Sequence, residues 1–201
     1  MKKLAAIVVS VAVMISLSGC ITAIALKEER RKVNELPDTT YMMNESMYAC
    51  SSGDSLVKDY VVKELDMGPK IHLHDFNVAC FVRDAFAKRS SETPMLRNTF
   101  ESVTILNVSA DAQLSTFWKG PWAKIMITAE ATTAAGGKKT VRGRGHCHMV
   151  SENIEIFSRH QIMRTARNAA DALVSAIVEG KDDVETGNNM DCLPDGHVVN
   201  N

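Results

Sequence analysis

The sequence lacks a strong charge of either sign. Its 23 Lys and Arg residues nearly balance 24 Asp and Glu residues, which gives a formal net charge of −1 at pH 7. General affinity for nucleic acid requires an excess of positive charge, so this balance argues against that class of protein. We therefore expect no nucleic acid among its partners.

The sequence also lacks the short motifs of common catalytic sites. It contains no Gly-x-Ser-x-Gly turn, no Gly-rich phosphate loop and no His-Glu-x-x-His motif. Gly143 and Gly145 are followed by His146 rather than by a helix, so they do not form a dinucleotide-binding turn. These absences predict that the protein is not an enzyme and that it has no cofactor.

Aromatic residues are scarce: two Trp, three Tyr and six Phe make up 5% of the chain, whereas hydrophobic residues make up 45%. A core must therefore be built from aliphatic, Ala and Met side chains. The chain is long enough for one domain with a substantial core.

The N-terminal segment has the pattern of a secretory signal. Lys2 and Lys3 precede an uncharged apolar stretch that is followed by Leu17-Ser18-Gly19-Cys20. A charged start, an apolar segment and small residues at the cleavage site are typical of a signal peptide. The tetrapeptide resembles the lipobox of bacterial membrane lipoproteins. This resemblance implies removal of residues 1–19, and a diacylglycerol and an N-acyl group such as palmitate on Cys20.

The resemblance implies a periplasm-facing protein of the cell envelope, held to a membrane by its lipid. Residue 21 is Ile rather than the Asp that often signals retention in the inner membrane, which favours the outer membrane. The alternative is an uncleaved anchor, because residues 4–26 carry no charge and could span a bilayer. After the leader we expect a tether over residues 20–38, a single domain over 39–180 and a polar C-terminal tail over 181–201.

Four further cysteines lie beyond Cys20, namely Cys50, Cys80, Cys147 and Cys192. An even number of cysteines in an oxidising compartment predicts two disulfides, and the sequence leaves all three pairings open. Because Cys192 lies in the polar tail, we expect a bridge from this cysteine to pin the tail to the domain.

The spacing of apolar residues predicts an α+β fold. Helical spacing predicts helices over 54–65, from Asp75 to about Arg89 and, as a long C-terminal helix, from about Arg159 to Gly180. Strands are predicted within 39–51 and over 70–74, 100–110, 123–133 and 140–151, with a hairpin at Gly136-Gly137. The expected architecture is a small antiparallel sheet of three to five strands with helices packed on one face.

The strand predicted over 140–151 carries candidate binding residues. Because side chains alternate in a strand, Arg142, Arg144, His146 and His148 share one face. Gly143 and Gly145 lie on the other face, where they would allow a helix to pack closely. The cationic face is either an ordinary solvent-exposed surface or a strip that binds an anionic partner.

Two His-x-His pairs, His72 with His74 and His146 with His148, suggest a metal site. If the two strands that carry them were adjacent, four imidazoles could converge on one ion. Nothing in the sequence establishes that adjacency.

Both tryptophans, Trp118 and Trp122, flank a Gly-Pro turn between two predicted strands. Such a turn either closes one end of the core or forms a recognition loop, because exposed aromatic side chains anchor interfaces.

Taken together, the sequence predicts a non-enzymatic envelope lipoprotein. It would act as an accessory or assembly factor that presents a disulfide-stapled domain to a protein partner or to the peptidoglycan wall. The alternative is a periplasmic metal-binding lipoprotein that uses the His-x-His pairs.

Overall fold

The computed structural model describes residues 27, 28, 31, 35, 37–43, 50, 55–68, 70–94, 96–113, 122–148 and 159–187. The elements bounded within these ranges are β1 (Thr39–Met42), β2 (Val61–Asp66), β3 (Ile71–Asn77), α1 (Val78–Glu92), α2 (Leu96–Thr99), β4 (Phe100–Gln113), β5 (Trp122–Thr133), β6 (Lys138–His148), α3 (Arg159–Glu179) and β7 (Asp183–Thr186).

The strands form two sheets, with the orders β1-β3-β2 and β4-β5-β6-β7. This confirms the predicted α+β class with a long C-terminal helix. The sheets are mixed rather than purely antiparallel, since β1 runs parallel to β3 and β7 runs parallel to β6. The second parallel pair follows from the connection, because α3 carries the chain back to the start of β6 before β7 begins.

Helix α3 packs on one face of the four-stranded sheet, over two glycines of β6. A Cβ atom at Gly143 would lie 2.2 Å from Leu173 N, and one at Gly145 would lie 2.2 Å from Thr165 O. Only hydrogen atoms therefore fit between this strand and the helix backbone, and this confirms the predicted close packing. The buried side of α3 is rich in alanine, including Ala166 and Ala169, which permits the same approach.

The two sheets share one hydrophobic core. Val103 of β4 donates its N–H to Leu56 O at 2.7 Å, and Lys58 donates its N–H to Val103 O at 3.1 Å. This short pairing places the segment before β2 along β4. Residues of both sheets and of α1 and α3 then belong to a single buried cluster.

The helix predicted over residues 54–65 is wrong. Val57 forms an isolated parallel bridge with Val103, and β2 begins at Val61. Arg83 of α1 donates from Nε to Val57 O at 3.2 Å, which fixes the segment in its extended form. Backbone pairing with distant residues outweighs the helical spacing of the local apolar side chains.

The start of α1 also differs from the prediction. The helix begins at Val78 rather than at Asp75, and the side chain of Asn77 caps it by accepting from Cys80 N at 3.2 Å. Asp75 remains within β3 with a φ of 52°, and its carboxylate lies 2.6 Å from Lys63 Nζ. The strand predicted over 70–74 therefore continues to Asn77.

The predicted hairpin, strands and helix end in the second half of the chain are confirmed with small shifts of their bounds. The turn between β5 and β6 has Gly136 at a φ of 82°, and Gly180 ends α3 at a φ of 67°. β7 was not predicted, because it lies in the segment that the sequence assigns to a polar tail.

Candidate functional site

The candidate site lies on the outer face of the four-stranded sheet, which we define as the face opposite α3. Val141, Gly143, Gly145 and Cys147 are buried against the helix side. The alternating residues Arg142, Arg144, His146 and His148 therefore point to the outer face, as the sequence predicted. The two arginines are exposed and the two histidines are half-buried.

One end of the outer face carries an aromatic and imidazole cluster. Trp122 pairs with His148 across β5 and β6, and its ring centroid lies 6.5 Å from that imidazole. The Nε1 of Trp122 donates to Gln113 Oε1 at 2.7 Å. Lys124 Nζ lies 5.7 Å from the centroid of the same indole, within the range of a cation–π contact. Because its N–H is satisfied and its ring is in contact with these neighbours, Trp122 is fixed in orientation.

The two histidines of β6 share one face, with ring centroids 5.7 Å apart in an edge-to-face arrangement. His146 Nδ1 lies 3.1 Å from Glu185 Oε1 of β7. The same carboxylate oxygen lies 4.0 Å from Lys124 Nζ. Glu185 therefore supplies negative charge to two basic side chains of the outer face.

A second carboxylate of β7 balances the cationic strip. Asp183 forms an ion pair with Arg144. Arg142 is exposed and has no ion pair with any described residue. A strand of the same chain, which the sequence did not predict, thus places two carboxylates beside the strip and leaves Arg142 unpaired among the described residues.

A shallow depression of about 230 Å³ lies at the centre of the outer face. Its side-chain lining includes Ser109, Asp111, Lys124, Met126, Arg144 and Glu185. Positive and negative groups therefore stand close together around a largely open surface. This arrangement suits charged groups of a partner that reach the surface from outside.

The two His-x-His pairs do not lie on neighbouring strands. His72 and His74 belong to β3 of the three-stranded sheet, whereas His146 and His148 belong to β6 of the four-stranded sheet. His72 Nδ1 instead lies 2.7 Å from Asp66 Oδ1. In the described part of the chain, no group of three or more His, Cys, Asp or Glu side chains could hold a metal ion. The strands that carry the two histidine pairs are therefore not adjacent, as the four-histidine metal site would require.

Cys50 and Cys80 form a disulfide with Cα atoms 5.1 Å apart. Cys147 is also disulfide-bonded. The cysteines left in the sequence are Cys20 and Cys192. If Cys20 is acylated, Cys192 is the partner.

We therefore predict a Cys147–Cys192 disulfide for a protein that is acylated at Cys20. Proteolysis without reduction should release one fragment that contains both cysteines, and reduction should separate it into two peptides of the expected masses. A fragment that joins Cys147 to Cys20 would contradict both this pairing and the acylation of Cys20.

A second depression, of about 180 Å³, lies between α1 and α3 and is lined by Lys88, Arg89, Glu92 and Asp171 among others. Burial raises the pKa of Asp171, while the positive charges of Lys88 and Arg167 act in the opposite direction. No histidine or cysteine lines this depression, and none of the candidates from the sequence lies there. We therefore place the candidate site on the outer face.

Three of the residues singled out from the sequence, Cys20, Trp118 and Cys192, lie outside the described residues. Sequence reasoning missed Asp183 and Glu185, which complete the charge pattern of the outer face. The sequence signal for this strand is the alternation of Asp183-Val184-Glu185-Thr186. It is weak because the strand is short and has only one apolar side chain.

Across the part of the chain that the structure describes, no helix is both long and apolar enough to cross a bilayer. Comparison of the chain with protein-family models, with curated proteins and with solved structures finds no match in any of the three.

Proposed function

We propose that this protein is a non-enzymatic lipoprotein of the bacterial cell envelope that displays its α+β domain to a protein partner as an accessory or assembly factor. The observation that carries the proposal is the Cys50–Cys80 disulfide. Structural disulfides persist in oxidising compartments and are rare in the cytosol. This bond therefore supports export, which the leader and the Leu17-Ser18-Gly19-Cys20 motif also favour.

The outer face supports the second part of the proposal. It offers a fixed indole, Trp122, beside exposed basic groups, and such aromatic and arginine side chains are enriched at protein interfaces. Its depression is open and shallow rather than deep and enclosed, so it fits a macromolecular surface better than a buried small molecule.

Acylation of Cys20 is the first prediction of this proposal. Cells that express the full chain and are fed labelled palmitate should incorporate the label into the wild-type protein but not into the Cys20→Ala variant. The wild type should sediment with membranes and resist extraction by high salt, because more than one acyl chain gives stable attachment. The Cys20→Ala variant should lose essentially all acyl-dependent attachment.

The matched control is Cys50→Ala with Cys80→Ala, which removes two other cysteines and leaves Cys20 in place. This variant should still take up palmitate. If the wild type takes up no label and retains residues 1–19 in the cytosol, the proposed envelope function is wrong.

A further inference from the structure

The edge of β6 is occupied by an acidic strand of the same chain. β7 pairs with β6 in parallel over four residues, from Arg142 opposite Asp183 to Gly145 opposite Thr186. Arg142 N donates to Asp182 O at 2.9 Å. The carboxylates of Asp183 and Glu185 then lie on the outer face, beside the basic side chains of β6 and β5.

The ion pairs between β7 and its neighbouring strands are partly exposed to solvent. The Arg144–Asp183 pair has side chains 46% and 33% exposed, and the Lys124–Glu185 pair has side chains 53% and 42% exposed. Ion pairs with this much solvent exposure contribute little to stability. On the inner face Val184 is only half-buried, and Thr186 donates its hydroxyl to Asn168 O at 2.6 Å.

Removal of β7 would expose a surface with a defined chemistry. The backbone groups of residues 142–145 on that side of β6 would lose their partners, which makes this edge a template for another strand. Arg142, Arg144 and Lys124 would lie beside that edge as positive charges, with His146 in the same row. An extended segment with carboxylates at alternate positions matches both the backbone groups and the charges.

We propose that β7 is an internal ligand, and that the edge of β6 binds an acidic extended segment of a protein partner when β7 is displaced. This inference rests on the proposed function, since it names the chemistry of the protein partner. Strand addition at a sheet edge obtains its affinity from main-chain hydrogen bonds and its specificity from alternate side chains. Here the specificity comes from the basic residues of β6 and β5.

The test uses the full-length protein in detergent and a fluorescent peptide with the sequence of residues 181–187, Lys-Asp-Asp-Val-Glu-Thr-Gly. In Asp183→Lys with Glu185→Lys, repulsion from Arg144 and Lys124 should displace β7. In the wild type β7 competes with the peptide, so the apparent affinity is limited to the fraction of molecules in which β7 has left the edge. The peptide should therefore bind this variant at least about tenfold more tightly than it binds the wild type. The Arg142 amide should exchange faster with solvent in the variant.

Charge reversal supplies the control. The addition of Arg144→Glu to the double variant should abolish binding of the acidic peptide, and the same peptide with lysine at its third and fifth positions should not bind the double variant. The inference is overturned if the Arg142 amide stays protected in the double variant, since β7 is then not held by these charges. It is also overturned if that amide is exposed and the acidic peptide still does not bind. Neither result depends on acylation of Cys20, which the palmitate experiment tests separately.

Discussion

Gly145→Ala is expected to lower the free energy of unfolding by about 3 kcal/mol, because extra volume in a close-packed contact forces neighbouring groups apart. The new Cβ would lie 2.2 Å from Thr165 O and 2.3 Å from Ala169 N. Both are backbone atoms of α3, so no side-chain rotation can relieve the clash and the helix must move from the sheet. Denaturant unfolding of the full-length protein, followed by circular dichroism, measures the loss.

Gly136→Ala is the matched control. A Cβ at Gly136 meets nothing within 4 Å, but its φ of 82° disfavours any residue with a side chain. We expect a loss of about 1 kcal/mol from this conformation alone. If Gly145→Ala destabilises the protein no more than Gly136→Ala does, the close approach of α3 to β6 is contradicted.

The parts of the fold that the sequence predicts well are those set by local patterns. Alternation places Arg142 and Arg144 on one face of β6, and a Gly-Gly pair marks the turn that precedes this strand. The apolar stripe of α3 and the glycine that follows it set the extent of the helix. In each case the side chains that determine the structure are a few positions apart, so one window of sequence contains the information.

Residues 54–65 show where local patterns fail. Leu56, Val57 and Leu65 have helical spacing, yet residues 55–65 form a turn and an extended stretch that leads into β2. Its conformation is set by backbone hydrogen bonds to Val103 and by Arg83, whose guanidinium donates to Val57 O. These partners lie far along the chain, and no window that contains only the segment itself reveals them.

The candidate site could be predicted only in part for the same reason. The shared face of the basic residues follows from alternation within β6. The neutralising carboxylates come from Asp183 and Glu185, which reach that face after the chain has passed through α3. β7 has one apolar side chain, so its position depends on pairing with β6 rather than on a pattern of its own.

Removal of the Cys50–Cys80 disulfide is also expected to lower the free energy of unfolding by a large amount. The bond closes a loop with a sequence separation of 30 residues. Loop-closure entropy for that length predicts a loss of about 3–4 kcal/mol when the bond is absent. Cys50→Ala with Cys80→Ala should show this loss in denaturant unfolding without reductant. Alanine is chosen because Cys80 is fully buried, where a serine hydroxyl would need a new partner.

Adding a reductant distinguishes the contribution of this bond from that of the second disulfide, at Cys147. The reductant should destabilise the wild type by more than the double substitution does. It should also lower the stability of the double variant below its value without reductant. A double variant within about 0.5 kcal/mol of the wild type under non-reducing conditions would contradict the structural role of the bond, since that is the range of neutral surface changes. Natural domains are stable by only about 5–15 kcal/mol. A chain kept in a reducing compartment would therefore lose much of its margin, which links the stability of this fold to export.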